Sequence, residues 1–368
     1  MRKNYFILFT GLVLIGLTAA MSRSDNVLSG FTMGTPEIKS LSSLTFGPEG
    51  VLFIGDSKSA IVFAIDTKDS KRSTQSGTTD IQNIDQKIAA ALGTSPDKIM
   101  ITDMVVNPLS KKIYISVQNS DGTPVLLRLE NGKLQSVPMK DISYSSIALN
   151  NVPAEDAKDQ RGRPMRVSAI SDIAYADGKL MVSGISNQEF ASTFRSIAFP
   201  FSNKQDQSSL EIFHAAHGRY ETNAPIRTFT TSTIKGKNYL IASYTCTPLV
   251  IFPLDDLKNG THIKGRTVAE MGNGNTPVDM LTLNTSGEKY LLMGNSSRPA
   301  AKLKYKDIES FQGSLTEKAS TTYAGVPFEV SERKNVIQMD KFDDSRVVLI
   351  QKSTSGSTDL LTINGKDL

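Results

Sequence analysis

The stretch LTFGPEGVLFIGDSKSAIVFAID, residues 44–66, reads as three short strands and two tight turns. LTF ends at GPEG, the apolar run VLFIGD follows, and the polar turn SKSA leads into IVFAID. Runs this short, rich in β-branched and aromatic residues and bounded by Gly, Pro, Asp and Ser, are strand signals rather than helix signals. A central run that is apolar on consecutive positions must be covered on both faces, and a lone hairpin cannot do that.

The same pattern recurs. The units begin with ITDMVVNPLSKKIYISVQNSDGTPVLLRLE (101–130) and ISDIAYADGKLMVSGISNQEFASTFRSIAF (170–199). They continue with IRTFTTSTIKGKNYLIASYTCTPLVIFPLD (226–255), VDMLTLNTSGEKYLLMGNSSRPAAKLKYKD (278–307) and VIQMDKFDDSRVVLIQKSTSGSTDLLTING (336–365). Starts are spaced by roughly 50–70 residues. Six such units, none able to bury its faces alone, predict an all-β, six-bladed β-propeller, with seven blades as the alternative. Fourth strands are expected at 132–139, 262–271 and 321–330. The sixth unit shows none, while PEIKS (36–40) precedes the first unit with nothing to pair. The expectation is therefore that this N-terminal strand closes the last blade and removes its open edge. One short helical insertion is predicted over 79–93, where Ile81, Ile84, Ile88 and Leu92 fall at helical spacing before Gly93.

The segments LTFGPEGVLFIGDSKSAIVFAID and DIAYADGKLMVSG (172–184) resemble the strand–PxG–strand blade of secreted bacterial propellers of the NHL, YncE-like and SMP-30/gluconolactonase type. The resemblance covers most of residues 36–365 as architecture and implies no single function. The Glu, Asn and Asp pattern of the lactonase metal site has no counterpart here.

The N-terminus, MRKNYFILFTGLVLIGLTAAMS, places Arg2 and Lys3 before an apolar run and then small residues. This predicts a signal peptide over 1–21, a flexible segment over 22–35, a single propeller domain over 36–368, and a periplasmic or secreted protein. The run is short for a membrane span. Loss of Arg2 and Lys3 takes the formal charge from +4 to +2. With no long basic run, nucleic acid is not an expected partner, and the chain is expected to be a monomer.

HAAHGRYETNAPIR (214–227) holds two of the three histidines, and TCTP (245–248) carries the only cysteine. With strands lettered A to D outward from the axis, antiparallel order puts D-to-A connections and B–C turns on one face. The first stretch is a D-to-A connection and Cys246 a B–C turn of the same unit, so His214, His217 and Cys246 are expected to meet. Two imidazoles and a thiolate suit Zn²⁺ or copper, with Glu221, Asp172 or a methionine as fourth donor. The competing expectation is that the histidines cap turns beneath Phe213 and Tyr220 and that the thiol is buried and inert. Arg219, Tyr220, Glu221 and Arg227 would line the same face, the arginines orienting a small anionic ligand, and Arg195 and Arg298 would flank it. His262 falls on the opposite face. The long stretch 140–166 reads as a polar connecting loop.

Asp103, Asp172 and Asp279, with Asp340, each stand near the start of an innermost strand. They either accept N–H bonds from neighbouring blades or form a ring for a hard cation such as Ca²⁺. HExxH, GxSxG, CxxCH and a Gly-rich phosphate loop do not occur, and the chain has no Trp, the residue that marks quinone-cofactor propellers. Three functions follow: a periplasmic ligand-binding propeller with a Cu or Zn site, a metal-dependent hydrolase or lactonase using the Asp ring, or an interaction scaffold for another periplasmic protein.

Overall fold

The computed structural model describes residues 27–73, 78–354 and 356–368. The expected signal peptide lies outside the described residues, as does the first part of the 22–35 segment. Among the described residues no helix is long and apolar enough to cross a membrane.

Six sheets, antiparallel except for one parallel pair between Asp206–His214 and His262–Lys264, form a β-propeller. The central strands explain why. In Val51–Asp56, Val51 and Phe53 enter one core cluster while Leu52 and Ile54 enter another. Successive side chains point to opposite faces of a strand, so a run of four apolar residues is buried on both sides. Lys179–Ile185 behaves the same way, Leu180 and Val182 on one side and Met181 on the other. Fully burying side chains of this size contributes about 1.5–3 kcal/mol each.

Six such clusters sit one between each pair of neighbouring units, and they give the order round the ring. Numbered along the chain, the units run 1-3-4-5-6-2 and back to 1. The second unit, made of Ile99–Val106, Ile113–Asn119, Pro124–Glu130 and Lys133–Ser136, therefore sits between the first and the last. The chain makes Ser43–Phe46, Val51–Asp56 and Ile61–Asp66 of unit 1, then leaves that sheet. It crosses unit 2 and reaches the outer edge of unit 6 at residues 79–81. It then forms helix α1 (Ile84–Ala91) and builds unit 2. Finally it returns as Ile142–Ala148, the fourth strand of unit 1.

This changes the expected closure. The last blade, Val336–Lys341, Arg346–Lys352 and Thr358–Asn364, is completed by Ile81, whose N–H donates to Leu360 O at 2.8 Å and whose O accepts from Leu360 N at 2.9 Å. PEIKS does not close it. Unit 2 stands between unit 1 and unit 6, and residues 36–40 are tied to unit 1, where Lys39 N and Ser40 Oγ donate to the Asp56 carboxylate at 2.8 and 2.6 Å. Thr32–Gly34 is paired rather than loose, adding a fifth strand outside Ile142–Ala148. That outer strand corrects the loop expected over 140–166; its Ser-rich sequence ISYSSIA hides the alternation. The predicted helix starts at Ile84 because residues 79–81 are committed to the sheet edge. A second short helix, α2 (Tyr305–Ser310), lies in unit 5.

Asp69 fastens the crossover to unit 2. It is 5% exposed and accepts from Ser110 Oγ at 2.6 Å, Lys112 Nζ at 3.0 Å, Tyr114 OH at 3.0 Å and Asn107 Nδ2 at 3.1 Å. Its backbone oxygen takes a further bond from Asn107 Nδ2 and would lie 2.6 Å from a Cβ on Gly50, whose φ is +76°. Burial alone would raise the carboxyl pKa; the donors from Ser110, Lys112 and Tyr114 outweigh it and hold it below the ordinary value.

Asp69→Ala leaves these buried donors unpaired and is expected to cost about 3 kcal/mol in chemical unfolding. A depressed folded-state pKa gives stability that is present above the ordinary carboxylate value, about pH 4, and is lost as pH falls through the folded pKa. The wild type should therefore lose stability below about pH 4 more steeply than Asp69→Asn. Parallel acid profiles would contradict this role.

Candidate metal centre

His214 ends the outer strand Asp206–His214 of unit 3, and Ala215 to Gly218 turn the chain into Arg219–Glu221, which pairs back on it. Cys246 lies in the turn between Lys237–Ser243 and Pro248–Pro253 of unit 4. Units 3 and 4 are neighbours, and both elements open on the same face. The structure brings the three expected donors together: one ligand atom each from His214, His217 and Cys246 lie within 4.8 Å of one another. The two imidazole rings are 3.9 Å apart.

Glu221 orients both rings. His214 Nδ1 lies 3.1 Å from Oε2, and His217 Nδ1 lies 2.7 Å from Oε1. An ionised carboxylate only accepts, so each Nδ1 carries a proton, and Nε2 is the nitrogen of each ring left to act as a metal ligand. Burial would raise the Glu221 pKa, but the bonds from His214 and His217 outweigh it and hold it at about 2. Arg219 Nε reaches the same carboxylate at 3.4 Å. Tyr220 is exposed, edge-on to Phe213 and beneath Lys264 Nζ.

Cys246 and Thr247 are consecutive non-glycine residues with φ of +68° and +57°. Cβ crowding makes this region unfavourable by about 1–2 kcal/mol per residue. Cys246 N donates to Asn275 O at 2.7 Å, Thr247 N to Tyr244 O at 2.9 Å, and Thr247 Oγ1 to Gly272 O at 2.8 Å. Arg298 braces that loop by donating to Asn273 O at 2.9 Å.

Glu270, which the sequence reading passed over, ends the fourth strand of unit 4, Arg266–Glu270. It is 1% exposed, and its Oε2 accepts the Ala216 N–H at 3.0 Å from within the His-x-x-His turn. Burial pushes its pKa up. The only signal in sequence was an acid inside the apolar strand TVAEM.

The remaining expected residues fall elsewhere. Asp103, Asp172, Asp279 and Asp340 line a central cavity of about 320 Å³. Each accepts an N–H from the next unit's inner strand: Leu44 to Asp103 at 2.6 Å, Phe229 to Asp172 at 2.9 Å, Met339 to Asp279 at 2.7 Å and Val106 to Asp340 at 2.6 Å. Burial raises all four, Asp172 to about 7 and Asp340 to about 6. Arg227 is exposed beside this cavity, within electrostatic reach of Asp172. Asp172 thus belongs to the channel rather than to the His and Cys cluster. Arg195 does not flank the site: it is fully buried on the third strand of unit 3, where Nη2 donates to Asn150 O at 3.1 Å. His262 is taken up by Ser209 and Glu211, both at 2.9 Å.

No family model and no curated protein matches the chain. Among solved structures, the chain is similar to one in the crystal structure of the mitotic checkpoint complex, with 6% identity over 90% of this chain and 93% of that one and a TM-score of 0.32. It is also similar to the Myceliophteria thermophila Cps50 (Swd1) β-propeller domain, with 11% identity over 88% and 83% and a TM-score of 0.38. Neither likeness carries an argument about function.

The strained turn is testable through its backbone. Cys246→Gly and Cys246→Ala both remove the thiol, but only glycine fits a φ of +68° without strain. The glycine variant should be more stable than the alanine variant by about 1 kcal/mol in metal-free unfolding. Equal stabilities would show that the turn is not strained.

Proposed function

We propose that this chain is a secreted propeller that binds a transition-metal cation, zinc or copper, at His214, His217 and Cys246. A β-propeller is in general a ligand-binding or interaction scaffold, and its loop face is where such sites are built. The observation that carries the metal reading is the meeting of three donors from two neighbouring units, with both imidazoles aimed by one carboxylate. A carboxylate behind a ligating histidine fixes its tautomer and raises its basicity, as in metal centres generally. Backbone strain at Cys246 is a second support, because such strain clusters at functional positions. Arg219, exposed beside Glu221, is the group that would hold an anionic ligand next to the site, while Arg227 is within electrostatic reach of Asp172.

The Asp ring favours a blade-to-blade role, since its oxygens already accept backbone N–H groups, and it supports a Ca²⁺-dependent hydrolase less well. The strand–PxG–strand likeness to NHL, YncE-like and SMP-30 blades adds a shared architecture and no activity.

Elemental analysis of protein purified without affinity metals tests the proposal. About one zinc or copper per chain is expected, with loss of the ion in Cys246→Ala. A metal-free wild type contradicts it, and calcium retained by Cys246→Ala would move the centre to the Asp ring.

A further inference from the structure

Two buried atoms face each other across a gap that no hydrogen bond fills. His214 Nε2 and Glu270 Oε1 are 3.9 Å apart, with side chains 2% and 1% exposed. Neither atom has a hydrogen-bond partner among the described residues. The separation is too long for a hydrogen bond, and buried polar atoms without a partner call for an explanation such as an ion. Neither side chain is free to turn away. Glu270 Oε2 is held by the Ala216 N–H, and His214 Nδ1 by Glu221. Two tetrahedral N and O donors bound to one ion at about 2.0–2.2 Å stand about 3.3–3.6 Å apart, so the 3.9 Å gap has only a few tenths of an ångström to close when an ion enters.

We propose that Glu270 is the fourth donor of the His214, His217 and Cys246 site, and that the four together close a tetrahedral pocket for Zn²⁺. This rests on the metal reading of those three residues. A thiolate with two imidazoles alone serves copper as well as zinc. A carboxylate oxygen is a harder donor, which shifts the set away from Cu⁺ and toward a divalent ion. Four protein donors match the closed shell of a structural zinc and leave no position for water or substrate. The bound ion would tie the hairpin of unit 3 to the Cys246 turn and the Glu270 strand end of unit 4. Its effect is therefore capture of the ion and stabilisation of this face. The metal-free alternative is a proton on His214 Nε2, which would draw Glu270 in to about 2.8 Å.

Titration of Zn²⁺ into metal-free wild type, Cys246→Ala and Glu270→Gln tests this, with absorption of the Co²⁺-loaded proteins as the coordination readout. The wild type should take up one Zn²⁺ per chain, unfold at a higher temperature when loaded, and give the intense visible bands of four-coordinate Co²⁺. Glu270→Gln should lower Zn²⁺ affinity by at least about 10-fold and weaken those bands. Glu270→Gln matching the wild type in affinity and spectrum, while Cys246→Ala loses the ion, would overturn the role of Glu270 and leave the three-donor site standing. A wild type that binds neither Zn²⁺ nor copper would remove the three-donor site itself. If Glu270→Gln does not fold, the wild-type Co²⁺ spectrum decides, and the weak bands of a six-coordinate ion overturn the proposal.

Discussion

The pairing of Ile81 with Leu360 is the interaction on which the ring depends. Without it the last blade would end in an unpaired strand, open to pairing with another chain. The pairing is made by a short piece of chain that has crossed a whole blade to reach its partner. That crossing forces the second unit between the first and the last, and it forces unit 1 to wait for its fourth strand until Ile142–Ala148 returns. Three blades are thereby clasped by one continuous segment, and Asp69 fixes the crossing where it passes unit 2.

Within that closed ring the loop face is rigid enough to hold polar groups out of water. Four of the six unit-to-unit contacts around the channel are bridged by carboxylate–amide bonds between inner strands. Further out, units 3 and 4 share a core containing Leu210, Ile212, Leu240 and Val250. Directly above it, Glu221 and Glu270 sit beside His214, one bonded to it and one not. A buried carboxylate with a free oxygen is unfavourable, and a left-handed cysteine turn is strained. Both features gain a reason if a cation joins them.

The blades were legible because each central strand is apolar on consecutive positions, as in VLFI and YLIAS, and each is bounded by turn residues. The meeting of His214, His217 and Cys246 was legible too. The connection that carries the histidines leads into unit 4, whose own B–C turn carries Cys246, and D-to-A connections share a face with B–C turns. The closure was not legible. Residues 79–81 carry too few positions to show a strand period, and Ile81 also fits the helical spacing that continues through Ile84 and Ile88. Ring order left no trace, because all six units carry the same alternation. Glu270 was hidden for a different reason: sequence shows an acid in an outer strand, and only packing shows that it is buried beneath the Ala216 turn.

The most direct measurement is anomalous X-ray scattering at the zinc edge from crystals of the zinc-loaded protein. The account predicts a single strong peak per chain, about 2.0–2.3 Å from donor atoms of His214, His217, Cys246 and Glu270. No peak at that position, or a peak among Asp103, Asp172, Asp279 and Asp340 in the channel instead, would contradict it.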